Sequence, residues 1–280
     1  MTDLPEPQQQ DEHALSGVQQ TMLIPLVARA LGGGLFPGHA CGDEHAAQLV
    51  RRLQLATDPY LADRPTVLNI LWRTQVIRDA GLAFFERHPD AWGVNLGCGL
   101  SQYFQWLDNG RNTWVDADMS QPMALRRRLL GPTGERQHGA IVDLRQSGWW
   151  QDLRLPAQAV AQPLFMLCEG VLMYLQPHQV RNVLRSFATH ASAGSRMVID
   201  ILAGCAVGMA QWHASVGQTR AQFHWGIRSL RELTDCHPRL RLLATHSVAA
   251  SHGWMGLAAE RMWNYWSSTP LYGVVELGVD

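Results

Sequence analysis

The hydrophobic pattern of the chain changes character near residue 91. Before that point the apolar positions recur at helical spacing. Leu15 to Leu31 reads as a helix that Gly32-Gly33-Gly34 stops, and Asp43 to Leu55 reads as a second helix with Ala46, Ala47, Val50 and Leu53 on one face. "PTVLNILWRTQVIRDAGLAFFERHP" predicts one long helical stretch, or two, closed by Pro89. Residues 1 to 12 are polar, carry two prolines and read as loosely ordered. Beyond residue 91 short β-like runs, "GVNLG", "NTWVDAD", "GAIVDL", "PLFMLCEG" and "SRMVIDIL", alternate with the helical segments "SQPMALRRRLL" and "PHQVRNVLRSFATHA". The latter opens on Pro177, where a missing N–H costs nothing, and presents Val180, Val183, Leu184 and Phe187 on one face. Five strands alternating with helices predict an α/β fold with a doubly wound parallel sheet. In the final third, "AVGMAQWHASVGQTRAQFHW" reads as a lid segment without clear periodicity. It is followed by a strand "LRLLATHSV", a helix "HGWMGLAAERMWNYW" and a last strand "LYGVVELG".

Composition narrows the class. At 280 residues the chain fits one large domain or a domain with an elaborated lid. A formal net charge of -1 gives no basic excess for a polyanion, so nucleic acid is not expected as a partner. The local run Arg126-Arg127-Arg128 reads as a solvated helix face. The five cysteines are scattered, without a C-x-x-C pair, which fits neither a disulfide framework nor a zinc ribbon. The acidic, Gln-rich N-terminus is no secretory signal. Pro25 and Arg29 interrupt the apolar run "TMLIPLVARALGGGLF", which falls short of the roughly 20 residues a membrane span needs. These features predict a soluble, cytoplasmic protein whose partner is a small molecule and not a membrane; they leave its oligomeric state open.

The stretch "WGVNLGCGLSQYF" carries the first chemistry. An apolar run strikes Gly97-Cys98-Gly99 and turns polar, as a strand does when it enters a nucleotide site. The dinucleotide fingerprint G-x-G-x-x-G asks for a third glycine where this chain has Gln102, which weakens a nicotinamide reading. A ribose is commonly held by a carboxylate at the end of the second strand, about 20 residues on. Asp116 and Asp118 stand there, and Asp118 is favoured because Ser120 can cap the next helix in its stead. Asp143 ends the third run and could accept from an adenine amino group, or simply start a loop. Glu169 ends the fourth run, where a lone buried carboxylate would be costly unless a cleft wets it.

Taken together, "VNLGCGL", "WVDADMSQPMALRRRLL" and "CEGVLMYLQPHQV", with "LSGVQQTMLIPLVARA" and "LWRTQVIRDAG" upstream, resemble the leucine carboxyl methyltransferase family of S-adenosylmethionine-dependent enzymes. The likeness runs over roughly residues 15 to 245 and is closest to the branch that O-methylates polyketides and similar small molecules. The resemblance implies a class I, Rossmann-like methyltransferase fold of seven strands with an N-terminal helical lid, the strand "LYGVVELG" inserting antiparallel. It implies a flexible N-terminus over residues 1–14, a helical lid and substrate-side helices over 15–90, and a cofactor-binding domain over 91–280. Carried over, the family pattern assigns Arg73 to the carboxylate of S-adenosyl-L-methionine, and Gly97 and Gly99 to its methionine part. It assigns Asp118 to the ribose, Asp143 with Leu144 to the adenine, and Glu169 to the methionine end. The family continues its glycine motif Gly-Leu-Asp-Thr-Arg-Phe; this chain has Ser101-Gln102-Tyr103 for the middle three residues, so polar contacts near the cofactor must differ.

A sulfonium methyl is already activated, so positioning can supply much of the catalysis, roughly 7–11 kcal/mol in good cases. An ionised carboxylate acceptor needs no base, whereas a phenol of pKa about 10 would benefit from one. Tyr174 and His224 are the candidate catalytic residues, each with a plain packing role as the alternative. "HACGDEH" gathers His39, Cys41, Asp43 and His45, all zinc-ligand types, but at no standard zinc spacing; a helix start is the better reading and no metal is expected. Trp263 and Trp266 read as packing residues of the core or of a subunit contact. Two alternatives remain at this level: a nicotinamide-dependent oxidoreductase, and a non-catalytic cofactor-binding protein.

Overall fold

Strands that bury both faces need cover on both sides, and here the helices provide it. The computed structural model describes residues 21–208, 221–263, 265, 267 and 269–280. Its strands are β1 (Trp92–Leu96), β2 (Thr113–Asp118), β3 (Gln137–Ile141), β4 (Phe165–Cys168), β5 (Arg196–Leu202), β6 (Leu240–Ser247) and β7 (Tyr272–Val279). They form one sheet in the order β3-β2-β1-β4-β5-β7-β6. Strands β1 to β5 are mutually parallel, and β7 runs antiparallel between β5 and β6. Leu96 lies in register with both Ala117 and Cys168, so the central strands end together at one edge. In such sheets ligands bind outside the carboxyl ends, where the strand order reverses, here between β1 and β4.

Among the described residues six helices run nine residues or longer: α1 (Leu23–Leu31), α2 (Glu44–Leu53), α3 (Arg64–Arg87), α4 (Ser120–Leu130), α5 (Pro177–His190) and α6 (Gly253–Trp263). Alternate strand residues divide between two cores. Leu96, Met166, Cys168 and Ile199 pack with Val180, Val183, Leu184 and Phe187 of α5. Phe165, Leu167, Val198 and Val274 pack on the other face with Ile77, Phe84 and Phe85 of α3. The predicted helical face of α5 is therefore the buried one. None of the described helices is long and apolar enough to cross a membrane.

Several local expectations are refined. The first helix is seen from Leu23, its predicted start lying outside the described residues, and the three glycines after it form a single 3-10 turn. The long stretch is one helix, α3, capped by Asp63 and ended at Arg87. Strand β3 ends at Ile141, so Asp143 sits two residues beyond it. Ser120 makes no capping bond; it is the first residue of α4, and Asp118 accepts from the Met119 N–H at 2.7 Å.

The arginine run is not a uniformly solvated face. Arg126 is buried and pairs with Asp116 at 2.7 Å, because it shares the inward side of α4 with Met123 and Leu129. Trp263 is half-buried, with its indole N–H donating to the Thr269 carbonyl at 2.7 Å. Trp266 and residues 209–220 of the predicted lid segment lie outside the described residues.

The tight layer contact over β1 yields a test. A Cβ on Gly93 would fall 2.1 Å from the ring of Trp114, a fully buried side chain with no room to move. Gly93→Ala is expected to lower stability by about 1–3 kcal/mol, as overpacking does. In urea this appears as a lower unfolding midpoint at unchanged slope.

Candidate functional site

A cavity of about 770 Å³ opens at the carboxyl edge of the sheet. Arg73, Gly97, Gly99, Asp118, Asp143, Leu144 and Glu169 all line it, although they come from five separate segments of the sequence. Tyr174 lines it too. His224 is not among the lining residues; its backbone N–H donates to the Met173 carbonyl at 2.8 Å.

The glycine turn is held from two sides. Gly97 and Gly99 both have positive φ, of 64° and 48°, a conformation that disfavours side chains. A Cβ on Gly97 would meet Val171 at 2.3 Å, so this glycine is also required by the protein's own packing and not only by room for a ligand. On the cavity side the Asp118 carboxylate accepts the Gly99 N–H at 2.8 Å. Beneath the turn Arg126 donates to the carbonyls of Gly99 and Ser101 at 3.1 and 2.6 Å, and Asn95 donates to the Ser101 hydroxyl and to Asp116. Ser101 thus belongs to a buried polar plug that fixes the loop. Burial pushes the Asp118 carboxyl above its ordinary value, an effect the Gly99 and Met119 N–H groups partly offset. Those two bonds use about half of the acceptor sites of a carboxylate, leaving the rest for hydroxyl donors.

At the other end of the cavity lies a buried charged cluster. Arg73 from α3 donates through Nε to Glu169 at 2.6 Å and through Nη1 to Asp200 at 3.2 Å and to the Tyr272 hydroxyl at 2.7 Å. Tyr272 donates to Asp200 at 2.8 Å, and Tyr103 donates to Glu169 at 2.8 Å. Arg29 from α1 pairs with Asp43 at 3.0 Å, and its Nη1 stands 4.0 Å from Glu169. Burial raises the Glu169 carboxyl, but the guanidiniums of Arg73 and Arg29 and the Tyr103 hydroxyl outweigh it and hold the group below the usual range. Asp200 goes the other way. Its burial dominates the help from Arg73, the Gly170 N–H and Tyr272, and its carboxyl is raised. Taking such charges out of water costs several kcal/mol per ion, and a well-packed apolar set would often serve stability as well. Perturbed groups of this kind gathered in a cleft mark a functional site.

Sequence reasoning gives Arg29, Tyr103, Asp200 and Tyr272 no role at the site. Arg29 is the one charge in an otherwise apolar helix, and Tyr103 stands where the resembling family has arginine; both were available signals. Asp200 and Tyr272 lie inside apolar strands and gave none. In "HACGDEH", Asp43 caps α2 through the Ala46 N–H and pairs with Arg29, while His39 bonds Gln75. Among the described residues no group of His, Cys, Asp and Glu is arranged to hold a metal ion.

The donor set fits S-adenosyl-L-methionine. Three carboxylates, Asp43, Glu169 and Asp200, face two guanidiniums, Arg29 and Arg73, which leaves an excess of negative charge. The methionine part of the cofactor, with a sulfonium, an ammonium and a carboxylate, is net positive and needs partners of both signs. The opposite end offers Asp118 and an apolar wall of Met119, Pro122, Val142 and Leu144. There Asp143 is engaged by Arg145 at 2.7 Å, which holds its carboxyl below the usual range.

Comparison with known proteins follows the same line. The family model for leucine carboxyl methyltransferases matches residues 26–188. The chain is 29% identical over 239 residues to the tetracenomycin polyketide synthesis O-methyltransferase TcmP of Streptomyces glaucescens, covering 85% of each protein. It is 26% identical to the S-adenosyl-L-methionine-dependent methyltransferase dpfgK of Gibberella zeae, covering 86% of this chain and 88% of that one. Among solved structures, a DUF574-family protein from Streptomyces avermitilis superimposes with a TM-score of 0.53 at 11% identity, over 85% of this chain and 90% of that one.

Glu169 ties the cluster together, so its loss should be severe and pH-dependent. Glu169→Gln is expected to destabilise the fold by about 3–5 kcal/mol near neutral pH, since it leaves buried guanidiniums underpaired. A carboxyl held below its ordinary pKa contributes stability above that value, roughly 4.3, and loses it as pH falls through the depressed one. The gap between wild type and variant in denaturant titrations should therefore narrow on acidification below about pH 4. A gap independent of pH would contradict the ionised pair.

Proposed function

The chain belongs to the leucine carboxyl methyltransferase family, and we propose that this S-adenosylmethionine-dependent methyltransferase transfers its methyl group to an oxygen of a small, mostly apolar, polyketide-like molecule. The observation that carries this reading is the composition of this cavity at the carboxyl edge of the sheet. Its charged end meets an apolar wall of Ile24, Ile70, Met173, Leu202, Phe223 and Leu271, suited to a flat hydrophobic acceptor. The near full-length similarity to a polyketide O-methyltransferase supports it. The nicotinamide-dependent and non-catalytic alternatives fall with the family assignment.

In this reading Arg73 takes the cofactor's carboxylate, Glu169 its ammonium, Gly97 and Gly99 line its methionine part, Asp118 takes the ribose hydroxyls, and Asp143 with Leu144 borders the adenine. The reading keeps the expected division into a helical cover before residue 91, described from residue 21 onward, and a cofactor-binding part after it. When bound, S-adenosylmethionine supplies a methyl on a positive sulfur, ready for in-line displacement. The protein's share is to bind and orient, which is where most of such a rate gain arises.

Among the described residues that line the cavity, none is free to serve the acceptor as a base. Each carboxylate that lines the cavity is engaged by a guanidinium, a phenol or backbone N–H groups. Burial pushes the Tyr174 phenol up to about 12, so it stays protonated at neutral pH and offers no phenolate base. No histidine is among the described lining residues. This favours an acceptor oxygen that is already ionised near neutral pH, a carboxylate or an acidic phenol or enol.

Incubation with methyl-labelled S-adenosylmethionine and metabolite fractions, read by mass spectrometry, tests the reading. The label should appear as an ester or ether; transfer to nitrogen or carbon would overturn the oxygen assignment. For a carboxylate acceptor the rate should be nearly flat from about pH 6 to 8, and His224→Gln should leave it so. A rise near pH 6.5 that the variant abolishes would restore a histidine base. Asp118→Ala should weaken cofactor binding by about tenfold to a hundredfold, the loss of a hydrogen bond to a charged group. Calorimetry with unchanged affinity in a folded variant would remove Asp118 from the ribose.

A further inference from the structure

The Arg73 guanidinium is held on only two of its three nitrogens. Nε is fixed by Glu169, and Nη1 by Asp200 and Tyr272 together. Nη2 has no hydrogen-bond partner among the described residues, and Arg73 faces the cavity. Nη2 lies over Gly170, where an added Cβ would stand 3.3 Å away; the glycine, with φ of 67°, leaves that nitrogen clear.

We propose that Asp200 and Tyr272 are positioning residues that lock Arg73 so that its Nη2 is presented to the cofactor's carboxylate. This rests on the reading that Arg73 meets that carboxylate. Asp200 is fully buried on β5 and is not among the residues lining the cavity, so it acts only through others. Its Oδ1 accepts the Gly170 N–H at 2.9 Å, and its Oδ2 accepts from Arg73 and from Tyr272. All three partners are donors. Only an acceptor-only group satisfies them, and an amide would turn an NH2 against at least one. One carboxylate therefore binds the turn after β4, the guanidinium from α3 and the phenol at the start of β7. Without it Nη1 keeps only the Tyr272 hydroxyl, which has lost its own anchor, and the guanidinium can pivot about the Nε bond, carrying Nη2 off the cavity.

Tyr272 completes the lock because its hydroxyl bonds to both members, accepting from Arg73 and donating to Asp200. Burial raises its phenol well above the ordinary value, so the hydroxyl keeps the proton it donates throughout the working range.

Two ligands separate positioning from mere support of the fold: S-adenosylmethionine and decarboxylated S-adenosylmethionine, which keeps the sulfonium and an ammonium but lacks the carboxylate. Calorimetric Kd values are measured for wild type, Asp200→Asn, Tyr272→Phe, Arg73→Met and the double variant Asp200→Asn/Arg73→Met, with thermal melts to establish folding. Asp200→Asn and Tyr272→Phe should each raise the Kd for S-adenosylmethionine about tenfold, with less than about a twofold change for the decarboxylated ligand. Arg73→Met should show the same selectivity, and the double variant should bind no more weakly than Arg73→Met alone, as groups acting through one contact do. Should Asp200→Asn fail to fold, Tyr272→Phe carries the test. If Arg73→Met is selective while the Asp200 and Tyr272 variants weaken both ligands equally, or neither, the positioning role is overturned and the role of Arg73 stands. If Arg73→Met weakens both ligands equally, both readings fall together.

Discussion

A guanidinium held between two buried carboxylates organises this molecule. Arg73 reaches from α3 to Glu169 behind β4 and to Asp200 on β5, while Tyr272 closes the group from β7. Four elements distant in sequence are thereby fixed at one point of the sheet edge, and Arg29 with Asp43 brings α1 and α2 to the same place. Desolvated charge of this extent is poor value as a stabiliser. Its surplus of carboxylate is explained by a guest with a net positive charge, which is what a methyl sulfonium cofactor brings.

The opposite end is organised by a different device. The glycine turn after β1 takes positive φ twice, and its carbonyls are tied down by Arg126 while its Gly99 N–H is tied to Asp118. Arg126 is in turn anchored by Asp116, which also accepts from Asn95, Trp114 and Gln137. A rigid polar plug thus sets the loop from below, and a loop of fixed shape can hold a ligand without ordering itself at the moment of binding.

The layout of the fold was legible because strand and helix periods are carried by apolar residues. The short, nearly continuous apolar runs in "GVNLG" and "SRMVIDIL" mark strands buried on both faces, and the 3.6 spacing of Val180, Val183, Leu184 and Phe187 marks the face that α5 buries. The glycine turn and the acids at strand ends were legible because they fall at the carboxyl edge, where the order of elements brings them together. Arg126 was not, since one arginine of three in a row gives no sign of which points inward. Asp200 was not either: it sits in an apolar strand, and only the approach of α3 and β7 shows what it binds. Tyr103 could have been found, as the replacement for a family arginine beside an acid. The register of the insertion strand β7 between β5 and β6, which delivers Tyr272, depends on pairing far along the chain and leaves no local trace.

The central claim is that this cavity, with its excess of carboxylate, holds S-adenosylmethionine and not a nicotinamide dinucleotide. Equilibrium titration calorimetry of the purified chain with each ligand tests it most directly. The account predicts saturable binding of S-adenosylmethionine at one site per chain, displaced by S-adenosylhomocysteine, and no heat of binding with NAD. A folded protein that binds NAD in competition with S-adenosylmethionine, or that binds no S-adenosylmethionine at all, would contradict it.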